Sequence, residues 1–174
     1  AEATEVKPAS RTVSCRYEGG TTETMSYDAL VLATGAVPIV PTVPGVRMPG
    51  IFTLRSFPEG DEIKAFVDSG RPRSAIVVGT GYNGLEMAEA LVARGLEVTL
   101  VERGEQLMPP LDAEMAWYVQ DHLRARGVHV HLGEALSRLQ AAGGALQAET
   151  ASGLSLETDM VILAAGIRPE NTLA

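Results

Sequence analysis

Six residues near the middle of the chain, Gly79 to Gly84, read Gly-Thr-Gly-Tyr-Asn-Gly and match the pattern G-x-G-x-x-G. This pattern is typical of dinucleotide binding when it follows a buried strand, opens a helix and precedes an acidic residue by about 20 positions. Glu102 stands 18 positions beyond Gly84, at the end of the next predicted strand. The spacing therefore predicts a site for the pyrophosphate of a dinucleotide.

Each glycine of the pattern has its own expected role. Gly79 permits a tight turn out of the strand, Gly81 lets the backbone approach the pyrophosphate, and Gly84 lets the helix lie close to the sheet. Free N–H groups and the positive end of the helix dipole can then bind the anion without a lysine. A chain with a net charge of −8 is therefore compatible with an anionic ligand.

The residues after the next strand bear on the choice of dinucleotide. A carboxylate at Glu102 is expected to accept hydrogen bonds from the adenosine ribose hydroxyls, which favours NAD(H) over its 2′-phosphorylated form. Arg103 follows it directly and is of the residue type that holds a 2′-phosphate. We expect NADH to be preferred, with NADPH as the alternative.

The elements around the glycine pattern alternate between strand and helix. We predict strands at 74–78, 97–101 and 128–132, and three shorter ones near 136–140, 145–150 and 159–164. The predicted helices cover 61–68, 82–94 and a segment from an Asp112 cap to about residue 126, with Met115, Val119 and Leu123 facing the core. This alternation predicts an α/β fold of the Rossmann type with a parallel sheet, and the shorter strands predict a β-meander crossover.

The first third of the chain has a different texture. Residues 1–36 carry two strand-like stretches, at 11–17 and 24–33, with a turn at 18–20. Five prolines between residues 37 and 58 predict a stiff connector without a regular element. The predicted divisions are 1–36, the connector 37–58, a dinucleotide-binding domain at 59–166 and a final segment at 167–174.

Composition excludes several other classes of protein. The 174 residues include 14 basic and 22 acidic ones, which disfavours a nucleic-acid surface. No apolar run reaches the length of a membrane span. Cys15 has no partner for an internal disulphide, which favours a reducing compartment such as the cytoplasm. His129 and His131 alternate on one strand, but no third ligand has suitable spacing, so we predict no metal site.

Three segments resemble the pyridine nucleotide-disulphide oxidoreductases, which are FAD-dependent flavoproteins. Residues 27–35 (Y-D-A-L-V-L-A-T-G) are similar to the family segment that contacts FAD. Residues 79–86 (G-T-G-Y-N-G-L-E) are similar to the nicotinamide nucleotide loop, and 159–169 (D-M-V-I-L-A-A-G-I-R-P) to the strand that returns to the flavin domain. Residues 52–55 and 108–115 are similar to the NADH oxidase, coenzyme A-disulphide reductase and nitrite reductase side of the family.

The resemblance implies roles for individual residues. Tyr82 matches the aromatic ring that shields the flavin until nicotinamide displaces it, unless its ring only covers the first helical turn. Glu86 matches a carboxylate near the nicotinamide and the flavin edge, or it is a solvated glutamate in the first turns of the helix. Gly166 matches a turn that approaches the nicotinamide. Asn83 stands where the family usually has an aliphatic residue.

The resemblance also implies what surrounds this segment in the parent protein. Thr34 and Gly35 match FAD contacts, but the earlier glycine motif that holds the FAD adenosine has no counterpart here. Cys15 does not stand at the position of the redox-active cysteine and is expected to be an ordinary buried or half-buried thiol. We therefore expect the NAD(H)-binding domain of a flavoprotein, flanked by strands of a truncated flavin domain, without its flavin and dimerisation domains and inactive alone.

Two other functions remain open from the sequence. A regulatory module could bind NAD without catalysis, and an appended DNA-binding helix pair would favour that hypothesis. A self-contained dehydrogenase would need a substrate domain and a catalytic residue set, which the sequence does not show. For the flavoprotein, the terminal electron acceptor could be oxygen, a disulphide, a ferredoxin-like protein or nitrite.

Overall fold

The structure is a computed structural model that describes residues 1–70 and 72–174. The chain divides into two compact units. The smaller unit comprises Ala1–Val37 and Arg168–Ala174, and the larger one comprises Pro38–Ile167.

The smaller unit contains a three-stranded antiparallel sheet with strands in chain order. Its strands are β1 (Glu2–Lys7), β2 (Thr12–Arg16) and β3 (Thr22–Ser26), with a short 3₁₀ helix at Pro8–Ser10 after β1. The predicted turn is confirmed, because Gly19 and Gly20 join β2 to β3 with φ of +97° and +87°. The expected strand at 24–33 is wrong beyond Ser26, and β1 was not predicted. Cys15 is buried in β2, as expected.

A five-stranded parallel sheet organises the larger unit. Its strands are β5 (Ile51–Thr53), β6 (Ser74–Val78), β7 (Glu97–Val101), β8 (His129–His131) and β12 (Met160–Leu163). Across the sheet they lie in the order β5-β12-β6-β7-β8. The helices are α1 (Phe57–Asp68), α2 (Tyr82–Ala93) and α3 (Ala113–Ala125). The α/β prediction with a parallel sheet is confirmed.

An antiparallel meander connects β8 to β12, as the sequence predicts. It consists of β9 (Leu136–Ala142), β10 (Ala145–Thr150) and β11 (Ser155–Thr158), in the order β11-β10-β9. The remaining short strands, β4 (Ala36–Pro38) and β13 (Ile167–Pro169), form a two-stranded sheet. Of these strands, β4, β11 and β13 were not expected.

The parallel sheet is buried on both faces, which explains the continuous apolar run of β6. Ala75 and Val77 belong to a cluster with residues of α1 and α2, whereas Ile76 and Val78 belong to a second cluster with residues of β9 and β10. Alternate side chains of a strand point to opposite faces, so the helices cover one face and the meander covers the other. This sandwich holds the carboxyl ends of the strands in place.

The predicted connector at 37–58 is wrong in one respect, because it contains regular structure. Ile51–Thr53 forms β5, whose register pairs Ile51 with Val161 at the edge of the parallel sheet. Pairing with a distant strand stabilises this three-residue segment even though prolines flank it. The helix α1 also begins earlier than expected, because Ser56 caps it and donates its N–H to the Glu59 carboxylate at 2.7 Å.

The third helix also differs from its prediction in the side that faces the core. Met115 was expected in the core stripe, but 54% of its surface is exposed, whereas Ala116 is buried. Val119 and Leu123 are half-buried. The stripe that packs therefore starts at Ala116, one residue later than expected, and continues at Val119 and Leu123 as expected.

None of the helices in residues 1–70 and 72–174 is long and apolar enough to cross a lipid bilayer.

Candidate functional site

The glycine loop connects the end of β6 to the beginning of α2. Gly79 leaves the strand with a φ of +102°, and a Cβ atom there would lie 2.3 Å from the Ala164 carbonyl oxygen. The Gly79 N–H also donates to the Val101 carbonyl at 2.8 Å. Both the backbone conformation and the close approach of the residues after β12 therefore require glycine at this position.

The other two glycines of the loop differ in what surrounds them. A Cβ at Gly84 would lie 2.1 Å from the Gly79 carbonyl oxygen, so this glycine lets the first turn of α2 pack closely on the loop. Apart from its two chain neighbours, a Cβ at Gly81 would meet no atom of residues 1–70 and 72–174 within 4 Å, and its φ of −70° suits any residue. Nothing in the part of the chain that the structure describes therefore demands glycine at position 81. The open space beside it leaves room for a ligand to approach the backbone.

Gly81 is also the residue that caps the N-terminus of α2. The first N–H groups of a helix have no partner within it and carry the positive end of its dipole. The first turn of α2 contains no acidic side chain that would neutralise this charge. The loop therefore presents a positive helix end beside the open space at Gly81, an arrangement that suits an anion.

A cleft of about 450 Å³ opens at the carboxyl ends of the parallel strands, within the larger unit. The glycine loop contributes Gly79 and Gly81 to its wall, the segment just after β7 contributes Glu102 and Arg103, and the turn after β12 contributes Gly166. In open α/β sheets, ligands bind in the crevice at this edge. The structure thus places five of the residues predicted from the sequence around one cleft.

The Glu102 carboxylate is almost fully buried and is bound within the protein. Its Oε2 atom accepts hydrogen bonds from the Thr80 N–H at 3.0 Å and from the Thr80 hydroxyl at 2.8 Å. Its Oε1 atom accepts one from the Gly104 N–H at 2.8 Å. A carboxylate oxygen has about two acceptor positions, so Oε1 retains capacity for a further donor.

A second carboxylate, Glu134, lines the same cleft, and sequence reasoning missed it. Its backbone N–H donates to the Glu102 carbonyl at 2.8 Å, and its carboxylate accepts from the Ser152 hydroxyl at 2.8 Å. The Thr150 and Ser152 hydroxyls hold the pKa of Glu134 below its ordinary value, so this group is charged at neutral pH. Its position just after β8, at the carboxyl edge of the sheet, is the sequence signal that could have identified it.

The ionisable residues that line the described cleft are more acidic than basic. Among its lining residues in the part of the chain that the structure describes, Glu102 and Glu134 are acidic and the exposed Arg103 is basic. A ligand group that carries negative charge beside Glu102 therefore lies next to a carboxylate, and Arg103 is the adjacent basic residue.

The remaining predicted residues lie outside the lining of this cleft. Tyr82 is 66% exposed at the start of α2, and Asn83 and Glu86 are exposed on its first turns. Thr34 and Gly35 belong to the smaller unit. There the Thr34 hydroxyl donates to the Glu170 carbonyl, and the Gly35 carbonyl accepts from the Glu170 N–H at 2.9 Å.

Comparison with known proteins gives consistent matches over nearly the whole chain. A family model described as pyridine nucleotide-disulphide oxidoreductase matches residues 1–174. An NADH oxidase of Methanocaldococcus jannaschii is 37% identical over 163 residues, which is 93% of this chain and 36% of that protein.

Two solved structures are similar in fold as well as in sequence. The crystal structure of reduced CoADR-RHD from Bacillus anthracis has a TM-score of 0.91 at 40% identity and covers 99% of this chain and 31% of that one. The water-forming NADH oxidase from Lactobacillus brevis, bound to NADH, has a TM-score of 0.89 at 30% identity and covers 97% of this chain and 37% of its own. The chain therefore spans about a third of the length of these relatives.

Proposed function

Because the chain belongs to the pyridine nucleotide-disulphide oxidoreductase family, we propose that it is the NAD(H)-binding domain of an FAD-dependent oxidoreductase. In this proposal the domain presents NADH for hydride transfer to the flavin of the parent protein. The 174 residues alone do not catalyse that reaction. The observation that carries the proposal is Gly81, a glycine that the protein's own packing and backbone do not require, beside an open cleft and a helix N-terminus.

We assign each residue of the glycine loop and the cleft to one part of the bound dinucleotide. The Gly81 backbone and the first N–H groups of α2 bind the pyrophosphate, because no side chain intervenes there. Gly79 and Gly84 let the loop and the first turn of α2 pack closely, so that the N-terminus of the helix lies beside Gly81 in the wall of the cleft. Glu102 binds the adenosine ribose through Oε1, the oxygen that accepts a single hydrogen bond from the described residues.

The chemistry itself belongs to the cofactors: the nicotinamide supplies a hydride and the flavin accepts it. This chain's part is to bind and orient the dinucleotide. Following the family resemblance, we assign the exposed Tyr82 ring to covering the flavin, Glu86 and Gly166 to the nicotinamide side, and Thr34 and Gly35 to FAD contacts.

Replacement of Gly81 by alanine tests the proposed site. Beyond its chain neighbours the added methyl group meets no atom of the described residues, so the fold should be retained, but it occupies the space through which the pyrophosphate approaches. We expect Gly81→Ala to weaken NADH binding by at least about tenfold, measured by titration calorimetry, which corresponds to about 1.4 kcal/mol.

Gly60→Ala provides the matched control. Gly60 lies in α1, away from the cleft, and its φ is also ordinary for an L-residue. A Cβ there would make a normal contact of 3.6 Å with the Leu54 side chain. This variant should bind NADH as the unaltered chain does. Unchanged NADH affinity in Gly81→Ala would show that the dinucleotide does not bind at the glycine loop.

A further inference from the structure

Thr80 stands between the first two glycines of the loop, and none of its surface is exposed. Its N–H and its hydroxyl both donate to Oε2 of Glu102, at 3.0 and 2.8 Å. Its carbonyl accepts from the Met108 N–H at 3.2 Å. Every polar group of Thr80 is therefore bonded to the segment that follows β7.

The glycine pattern places no demand on this residue beyond the turn itself. Compared with alanine or valine, threonine adds a buried hydroxyl at this position. That hydroxyl donates a hydrogen bond to the Glu102 carboxylate. A glutamate side chain has several rotamers, and fixing one of them costs conformational entropy. The two bonds from Thr80, with the one from Gly104 to Oε1, fix the carboxylate before any ligand arrives.

We propose, on the basis of the function proposed above, that Thr80 is a positioning residue for cofactor choice. It holds Oε2 of Glu102 so that the carboxylate meets the ribose in one orientation, with the acceptor capacity of Oε1 available to a hydroxyl donor. A 2′-phosphate has no proton to donate to that oxygen at neutral pH and adds repulsion. The preference for NADH over NADPH thus depends on the Thr80 hydroxyl as well as on Glu102.

Removal of the hydroxyl leaves Oε2 with the single N–H bond. The carboxylate then samples other rotamers, and NADH binding must fix it again, whereas NADPH binding gains nothing from the fixed orientation. We expect the ratio of NADPH to NADH dissociation constants to fall by about three- to tenfold, the range of one net hydrogen bond.

Two variants at this position separate the hydroxyl from the packing. Thr80→Val is similar in shape, keeps the N–H and lacks the hydroxyl, while Thr80→Ser keeps the hydroxyl and lacks the methyl group. Titration calorimetry with NADH and with NADPH, together with thermal unfolding, is run on the unaltered chain and both variants. The ratio should fall in Thr80→Val and be restored in Thr80→Ser.

The possible results distinguish this inference from the function on which it rests. If the unaltered chain prefers NADH and Thr80→Val keeps that ratio while only its unfolding temperature falls, Thr80 is purely structural and the inference is overturned. If the unaltered chain does not bind NADH, the proposed function fails and the inference fails with it. If Thr80→Val does not fold, Thr80→Ala provides the same comparison.

Discussion

Replacement of Glu102 by alanine tests how the cleft selects its cofactor. In the structure this carboxylate accepts three hydrogen bonds, two from Thr80 and one from Gly104, and is only 9% exposed. Its removal leaves those donors without their partner at the edge of an open cleft, where water replaces part of the loss. We expect the free energy of unfolding to fall by about 2–4 kcal/mol.

The same substitution changes the affinities for the two cofactors differently. A hydrogen bond to a charged group contributes about 1.5–3 kcal/mol, so the unaltered chain should prefer NADH by at least about tenfold. In Glu102→Ala, NADH binding should weaken by about that factor, and NADPH binding should change less because it loses a repulsive neighbour. The difference in affinity between NADH and NADPH therefore becomes smaller, mainly because NADH binding weakens.

Titration calorimetry with both cofactors and thermal unfolding measure these two effects separately. Glu97→Ala is the matched control, because Glu97 lies at the opposite end of β7 and is exposed. It should leave both affinities unchanged. Equal affinities of the unaltered chain for NADH and NADPH would refute the reasoning and indicate that Arg103 governs the pocket instead.

Two further predictions concern the fold that supports the cleft. Gly84→Ala places a methyl group 2.1 Å from the Gly79 carbonyl oxygen, so it should lower the free energy of unfolding by more than about 2 kcal/mol, as measured by chemical denaturation. Burial raises the pKa of Asp159, but hydrogen bonds from the Arg73 and Ser74 N–H groups and the Ser74 hydroxyl outweigh it and lower the pKa below its ordinary 3.8. The stabilisation from Asp159 is therefore complete above about pH 4 and lost as the pH falls further, and Asp159→Asn should flatten that acid limb of the stability profile.

The elements next to the glycine loop were predicted almost to the residue. The structure has β6 at Ser74–Val78 and β7 at Glu97–Val101, and α2 begins at Tyr82, all as expected. Local signals define these elements: a short apolar run, glycines at the turn and a helical pattern that ends before Gly95. The family that the three sequence segments indicated is likewise confirmed.

What the sequence did not predict depends on contacts between distant residues. The strand β5 exists because Ile51 pairs with Val161, and no local pattern at residues 51–53 indicates that partner. The bonds from Thr80 to Glu102 form because neighbouring parallel strands end at one edge of the sheet, which places residues 80 and 102 side by side. Met115 and Ala116 each fit the helical period of the stripe that continues at Val119 and Leu123. The sequence pattern therefore does not determine which of the two is buried, and only packing does.

The central claim is that NADH binds at the glycine loop of this chain, and amide NMR of the ¹⁵N-labelled protein tests it most directly. On titration with NADH, the largest shift changes should fall on the amides of Gly79, Gly81 and Gly84, with further changes at Gly104 and Gly166. The cleft at the opposite edge of the sheet, lined by Arg73, Glu97 and Asp159, should remain unperturbed. Absence of saturable changes at the glycine loop, or saturation only at that opposite edge, would contradict the account.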